Sequence, residues 1–191
     1  MNQKYSTTYK IALTGLIAAL SYVVFTFLQI KIMIPGTESA TSIHLGNAVC
    51  VLGALLLGGP LGGIGGAVGM TIGDLLDPVY IMSAPKTFIL KLCIGLVTGS
   101  VAHRIGRLSV CRNARAAFKW SLIAAVCGLS FNMIFDPLFS YFYKLLILGK
   151  PMAELTLLPN IATTTVNAVT SAIVSVAVYN AIRPALKKAG L

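Results

Sequence analysis

Long apolar segments alternate with short polar connections along almost the whole chain. Six such segments follow one another between Ile11 and Ile182. A membrane-spanning helix needs about 20 residues, and in lipid it must satisfy its own backbone polar groups. The pattern therefore predicts an all-α integral membrane protein, a single domain over residues 1–191. We expect six transmembrane helices, at about 8–31, 44–58, 61–76, 85–105, 118–143 and 159–182.

Composition excludes an ordinary soluble domain. Of the 191 residues, 57% are hydrophobic and only 10% are charged, and the mean hydropathy is +0.86. This is far more apolar than a soluble domain of this size. The four cysteines have no metal-ligand spacing and lie mostly inside apolar runs, so we interpret them as small hydrophobic residues. The lipid bilayer is thus the first expected partner.

The net charge of +10 comes mainly from three basic groups. They lie before the first span, in the loop at 104–119 and after the last span. An even number of spans places all three groups on one side, and the positive-inside rule makes that side the cytoplasm. We expect both termini to be cytoplasmic in a multi-pass protein. This topology explains the charge without a nucleic-acid partner.

The segment at 42–91 organises the rest of the chain. It contains an apolar run, a hinge at Gly58-Gly59-Pro60, a glycine-dense run and a third apolar run that opens at Pro85. Two short helices returning to the same side would gather five polar residues at one membrane face: His44, Asn47, Asp74, Asp77 and Lys86. Polar groups at one end of an apolar bundle indicate a ligand site.

Two later spans carry polar side chains with helical spacing. Asn132 and Asp136 are four residues apart and share a helix face. The sixth span has a stripe of polar residues at steps of three or four: Asn160, Thr163, Asn167, Ser171 and Ser175. Hydrogen bonds between helices and contacts with a ligand both explain such a stripe. Because its outer half is level with Asn132 and Asp136, we favour a ligand role there.

Three further features each leave two interpretations open. Lys91 lies deeper than Lys86 and needs an acidic partner, for which Asp74 and Asp136 are the candidates. Small residues Gly15 and Ala19 are four apart, so another helix can approach closely, either within the chain or from a partner. The turn-rich segment at 34–42 is a plain connection or a lid over a site.

The sequence holds no recognisable catalytic apparatus. It contains no paired-histidine metal motif, no nucleophile elbow and no Walker motif, so we expect no enzyme activity, no metal and no cofactor. An intramembrane enzyme using Asp74, Asp77 and His44 is one alternative, but two acids at a helix end are more often a cap or loop feature.

Two non-enzymatic alternatives also remain open. One is a self-sufficient secondary transporter, coupled to protons or sodium through Asp74, Asp136 and Lys91. The absence of an inverted repeat counts against it. The other is a purely structural membrane subunit, which would bind no small molecule.

Three motifs in order resemble a known family. They are SIHLGNAV, GGAVGMTIGDLLDP and APKTFILK. The chain is similar over nearly its whole length to the substrate-binding S components of energy-coupling factor (ECF) vitamin transporters. The resemblance implies a six-helix S component of a bacterial cell membrane. It would bind a small water-soluble vitamin under the first outer loop and deliver it inward with a T component and two ATPase subunits.

The resemblance also implies roles for particular residues. Gly15 and Ala19 match the motif that contacts the T component. His44, Asn47 and Asp74 would lie at the rim of the site. The regions that contribute ligand contacts hold nine polar residues: Glu38, Thr41, Asp77, Lys86, Asn132, Asp136, Asn160, Thr163 and Asn167.

The identity of the substrate follows less directly from the sequence than the family does. Lys86 and the polar amides suit a small anionic compound such as pantothenate. Asp136 with neighbouring aromatic residues suits a pyridine, pyrimidine or deazaguanine ring. We therefore expect pantothenate or a B6-type compound first, with riboflavin, hydroxymethylpyrimidine and a queuosine precursor as further candidates.

Overall fold

The apolar segments form α-helices in a computed structural model, which describes residues 7–36, 39–111, 113–149 and 153–188. The elements in chain order are α1 Thr7–Phe27, β1 Gln29–Met33, β2 Ala40–His44, α2 Gly46–Leu57, α3 Gly59–Leu75, α4 Ala84–Gly99, α5 Ala114–Phe142 and α6 Leu157–Lys188. Wider π-helical turns extend α4 over Ser100–Ile105 and α5 over Tyr143–Ile147. Short 3-10 turns at Ile81–Ser83 and Ala153–Thr156 precede α4 and α6.

Among the described residues, four helical segments are long and apolar enough to cross a membrane. They are Thr7–Phe27, Ile81–Ile105, Ala114–Ile147 and Glu154–Leu186. Helix α2 is also apolar but has only 12 residues, so it is about 18 Å long against a hydrocarbon core of about 30 Å. Helix α3 has 17 residues. The chain is therefore a membrane protein whose second and third helices form a shorter pair.

Helix α2 lies at the centre of the bundle. It packs against each of the other five helices, and most of its side chains are buried. Residues Cys50, Val51 and Leu55 of α2 belong to the main hydrophobic core, with Ile94 of α4 and Leu129 of α5. A helix that is apolar on every side is expected in such a position.

Glycines set the distance between α3 and α4. A Cβ atom added to Gly95 of α4 would lie 2.6 Å from the backbone nitrogen of Gly63 and 3.3 Å from the carbonyl oxygen of Gly59. The two backbones are thus in direct contact, as small residues allow between membrane helices. This contact explains why the third span contains so many glycines.

The chain between α1 and α2 corrects the predicted first span and outer loop. Helix α1 ends at Phe27 rather than near Lys31, and residues of the predicted loop at 34–42 form part of a hairpin. Strands β1 and β2 pair antiparallel, with Gln29 opposite His44 and Met33 opposite Ala40. Strand β1 reads QIKIM, in which polar and apolar residues alternate, and this period of two favours a strand over a helix.

The boundaries of the last two helices also differ from the prediction. Helix α5 begins at Ala114, four residues early, because the Asn113 side chain caps it by accepting a hydrogen bond from the Arg115 backbone N–H at 2.8 Å. It continues through Pro137 to Phe142. Helix α6 is longer than the predicted span and extends from Leu157 to Lys188.

Charged residues are divided between the two ends of the bundle. Helices α1, α3 and α5 end where hairpin β1–β2 lies, and we call this the hairpin end. The described acidic residues Asp74, Asp77, Asp136 and Glu154 belong to segments at this end. The exposed basic residues Arg104, Arg107, Arg115 and Lys119 lie at the opposite end, on or beside the connection between α4 and α5.

Candidate functional site

A cavity of about 360 Å³ lies at the hairpin end of the bundle. Its walls come from β2, α3, the turn at 77–83, α4, α5 and α6. This volume is within the range of small-molecule binding sites. Six of the nine residues predicted to contact a ligand line the cavity or its immediate edge, together with two of the three predicted rim residues: Thr41, Lys86, Asp136, Asn160, Thr163, Asn167, His44 and Asp74.

The remaining predicted residues lie elsewhere. Asp77 and Asn132 do not line the cavity, although Asp77 accepts a hydrogen bond from the lining residue Val79 and Asn132 accepts one from the lining residue Lys91. Asn47 is buried in α2 and is also absent from the cavity wall. Glu38 lies outside the residues that the structure describes.

A charged wall is built where α4 faces α5. Lys91 donates hydrogen bonds to Asp136 Oδ2 and Asn132 Oδ1, both at 3.2 Å. Lys86 donates to Asp136 Oδ1 at 3.1 Å and to Ser140 Oγ at 2.8 Å. The side chain of Lys91 is only 5% exposed, and a buried cation is stable only with such partners. Asp136 is therefore the common counter-ion of both lysines.

Strand β2 is fixed to α6 by side-chain hydrogen bonds. Asn167 accepts a bond from the His44 backbone N–H and donates one to the Ser42 carbonyl, both at 2.9 Å. The hydroxyl oxygens of Thr41 and Thr163 are 2.7 Å apart. Asn167 thus pairs with the strand as a neighbouring strand would, and holds the hairpin against the cavity.

Strand β1 is attached to the turn between α3 and α4. Lys31 forms an ion pair with Asp77 and lies 5.6 Å from the ring centre of Tyr80. The other carboxylate oxygen of Asp77 accepts the Val79 backbone N–H at 3.0 Å, which stabilises the turn. The hairpin is therefore attached on both sides, to α6 through one strand and to this turn through the other.

One polar atom of the cavity wall, Nδ1 of His44, lacks a hydrogen-bond partner among the described residues. The His44 ring packs edge-on against Phe25, with centroids 4.9 Å apart. Burial, reinforced by nearby Lys91, lowers the pKa of His44 to about 3, so its imidazole is neutral. Burial raises the pKa of Tyr80 to about 12, so its hydroxyl keeps its proton.

The sequence analysis did not identify several residues that line the cavity. Two of them have a helical spacing that could have identified them. Ser140 and Lys144 both line the cavity. They continue the spacing of four that begins at Asn132 and Asp136, so extending that helix face by two steps would have found them. Tyr80 and the side chains of β2 had no such signal, because their positions depend on the fold of the hairpin and turn.

The small residues of α1 face away from the rest of the bundle. Gly15 and Ala19 are both exposed, and a Cβ atom added to Gly15 would meet no described atom within 4 Å. The buried side of α1 carries Ile17, Ser21 and Phe25 instead. The spacing of four thus forms an open, shallow surface on α1.

Comparison with known proteins identifies one family. The family model described as "ECF-type riboflavin transporter, S component" matches residues 5–184, which is nearly the whole chain. No curated protein and no solved structure matches the chain.

Proposed function

The chain belongs to the S components of ECF-type riboflavin transporters, and on that premise we propose that it captures riboflavin in the cavity beneath hairpin β1–β2. Membership confirms the resemblance carried by the motifs of α2, α3 and α4. S components bind vitamin-like substrates and work with a T component and ATPases, and they are not enzymes. The observation that carries the proposal is the cavity of about 360 Å³, which has a charged wall and is lined on one side by strand β2 of the tethered hairpin.

Riboflavin replaces pantothenate and B6-type compounds as the first ligand because the family is defined by riboflavin transport. The cavity chemistry is compatible with a flavin. Lys86 supplies N–H donors for ring carbonyl oxygens, while Asn160 and Thr164 lie at the same cavity. Phe25 and Met70 provide apolar surface for a flat ring.

We assign Lys91, Asn132 and Asp77 supporting roles. Lys91 belongs to the charged wall and donates to Asp136, and Asn132, outside the cavity wall, accepts a hydrogen bond from Lys91. Together they hold Asp136 in place, which orients Lys86 toward the ligand. Asp77 acts through its ion pair with Lys31 and keeps the hairpin over the cavity. We propose the same holding role for Thr41, Thr163 and Asn167.

The membrane orientation follows from the charge distribution. We propose a six-helix bundle in the bacterial cell membrane, with the hairpin end outside and both termini in the cytoplasm. The exposed arginines at the opposite end support this orientation through the positive-inside rule. The short α2–α3 pair would then reach the inner surface only partly.

Native mass spectrometry of gently purified protein tests the proposed ligand. We expect a bound species with the mass of riboflavin. A different vitamin mass would contradict the riboflavin assignment. An empty protein that also shows no thermal shift with riboflavin, pantothenate, B6 compounds, hydroxymethylpyrimidine or a queuosine precursor would contradict the S-component role of the cavity.

Removing the Asn167 side-chain bonds should accelerate ligand release. In Asn167→Leu, strand β2 loses two hydrogen bonds to α6, so the hairpin opens more often. We expect the dissociation rate of riboflavin to rise roughly 10- to 100-fold. Stopped-flow flavin fluorescence measures this rate. Thr165→Val is the matched control, because the Thr165 hydroxyl is exposed and bonds only within α6, to Ile161 at 2.8 Å. Equal release rates in the two variants would contradict the holding role.

Enlarging Gly15 should disrupt assembly but leave ligand binding intact. We propose that Gly15 and Ala19 contact the T component, because they form the open surface of α1. A leucine at Gly15 would project into that contact, and we expect about 10-fold weaker co-purification with the T component and ATPases. Ala177→Leu, on an exposed position of α6, is the control for added size on the helical surface. Normal assembly of Gly15→Leu would contradict this assignment.

A further inference from the structure

The two carboxylates of the cavity have different surroundings. Both oxygens of Asp136 are occupied, Oδ1 by Lys86 and Ser140 and Oδ2 by Lys91. This carboxylate is therefore neutralised by the protein itself. It has little remaining capacity to accept hydrogen bonds from a ligand.

Asp74 has no comparable set of partners. It lies in the last turn of α3, is 2% exposed and lines the cavity. Its hydrogen-bond partner is the Thr87 hydroxyl. Among the described residues no lysine or arginine lies within 4 Å of its carboxylate. A carboxylate has about four acceptor positions, so most of those of Asp74 remain unused at the cavity surface.

A buried polar group with unused capacity is costly unless a partner arrives. Asp74 is on α3, whereas the lysine cluster joins α4 to α5. The wall that includes Asp74 therefore offers carboxylate acceptors, and the lysine wall offers donors.

From these surroundings, we propose that Asp74 selects the ligand by accepting hydrogen bonds from its N–H or O–H groups. The inference rests on the proposed function and extends it. The site would favour a neutral ligand that presents donors toward α3 and carbonyl oxygens toward Lys86. A ligand of equal size with a carboxylate or phosphate beside Asp74 would be rejected by like charge. Riboflavin meets this requirement with its ring N3–H and its ribityl hydroxyls.

A binding cycle with flavin analogues tests the role of Asp74. The ligands are riboflavin, 3-methylriboflavin without the ring N–H, and lumiflavin without the ribityl hydroxyls. Wild type, Asp74→Asn and Asp74→Leu are titrated with each ligand by flavin fluorescence. We expect Asp74→Leu to bind riboflavin roughly 10- to 100-fold more weakly, with Asp74→Asn intermediate. For the analogue that lacks the contacted donor, the loss caused by Asp74→Leu should shrink to less than about threefold.

The analogue comparison separates a ligand contact from a structural bond to Thr87. If Asp74 only joined α3 to α4, Asp74→Leu would weaken all three flavins by the same factor, and the inference would be overturned. Unchanged riboflavin affinity in Asp74→Leu would also overturn it, with the proposed function left standing. Absence of riboflavin binding by wild type would overturn the proposed function and this inference with it.

Discussion

Asp136→Ala is expected to lower the free energy of unfolding by about 3–5 kcal/mol, because it leaves the buried Lys91 and the half-buried Lys86 without their counter-ion. Lys91 is the more affected, since its side chain is 5% exposed and its remaining partner is a neutral amide. For a chain of this size the change corresponds to a fall in Tm of roughly 10 °C. Thermal unfolding in detergent, followed by tryptophan fluorescence or aggregation, measures it.

Two further variants identify the cause of that loss. Asp77→Asn removes the ion pair with Lys31, whose side chain is 40% exposed, and should cost less than about 1 kcal/mol. A double variant with Asp136→Leu and Lys91→Met should recover part of the loss, because apolar pairs often replace buried ion pairs without penalty. A Tm of Asp136→Ala within a degree of the wild-type value would contradict the counter-ion role.

Gly95→Leu is expected to prevent normal folding or to destabilise the protein by about 3 kcal/mol or more. The new side chain would begin 2.6 Å from the Gly63 backbone nitrogen, and a backbone cannot move aside as a flexible side chain can. Helices α3 and α4 must therefore separate. Yield of monodisperse protein and Tm report the effect.

Gly15→Leu provides the matched control for this substitution. It is the same chemical change in a helix, but at a position where an added Cβ meets no described atom within 4 Å. We expect its Tm to stay near the wild-type value, since leucine also favours helix more than glycine does. Similar yields and Tm values for the two variants would contradict the close α3–α4 contact.

The helices could be predicted because apolar length and composition decide them locally. The grouping of Lys86 and Asp136 at one end of the bundle followed from the order of the spans, and the shared face of Asn132 and Asp136 followed from helical spacing. The sequence limited the candidate counter-ions of Lys91 to two acidic residues, Asp74 and Asp136. Choosing Asp136 over Asp74 required the packing of α4 on α5, which a single sequence does not contain.

The hairpin and its attachments could not be predicted. The alternation in strand β1 covers only five residues that directly follow an apolar helix, so it is too short to separate them from the end of the predicted first span. The roles of Thr41 and Asn167 depend on contacts between residues more than 120 positions apart. Asp77 is a predicted ligand contact because the family resemblance places it in a region that contributes such contacts, and its ion pair with Lys31 depends on the position of strand β1.

Titration of riboflavin into purified wild-type protein is the most direct test of the account. Quenching of flavin fluorescence follows binding without a label. The account predicts saturable binding of one flavin per chain, with a Kd of about 1 μM or tighter. It also predicts that riboflavin analogues that keep the donor groups compete for the same site. Absence of saturable binding by protein that is folded and monodisperse would contradict it.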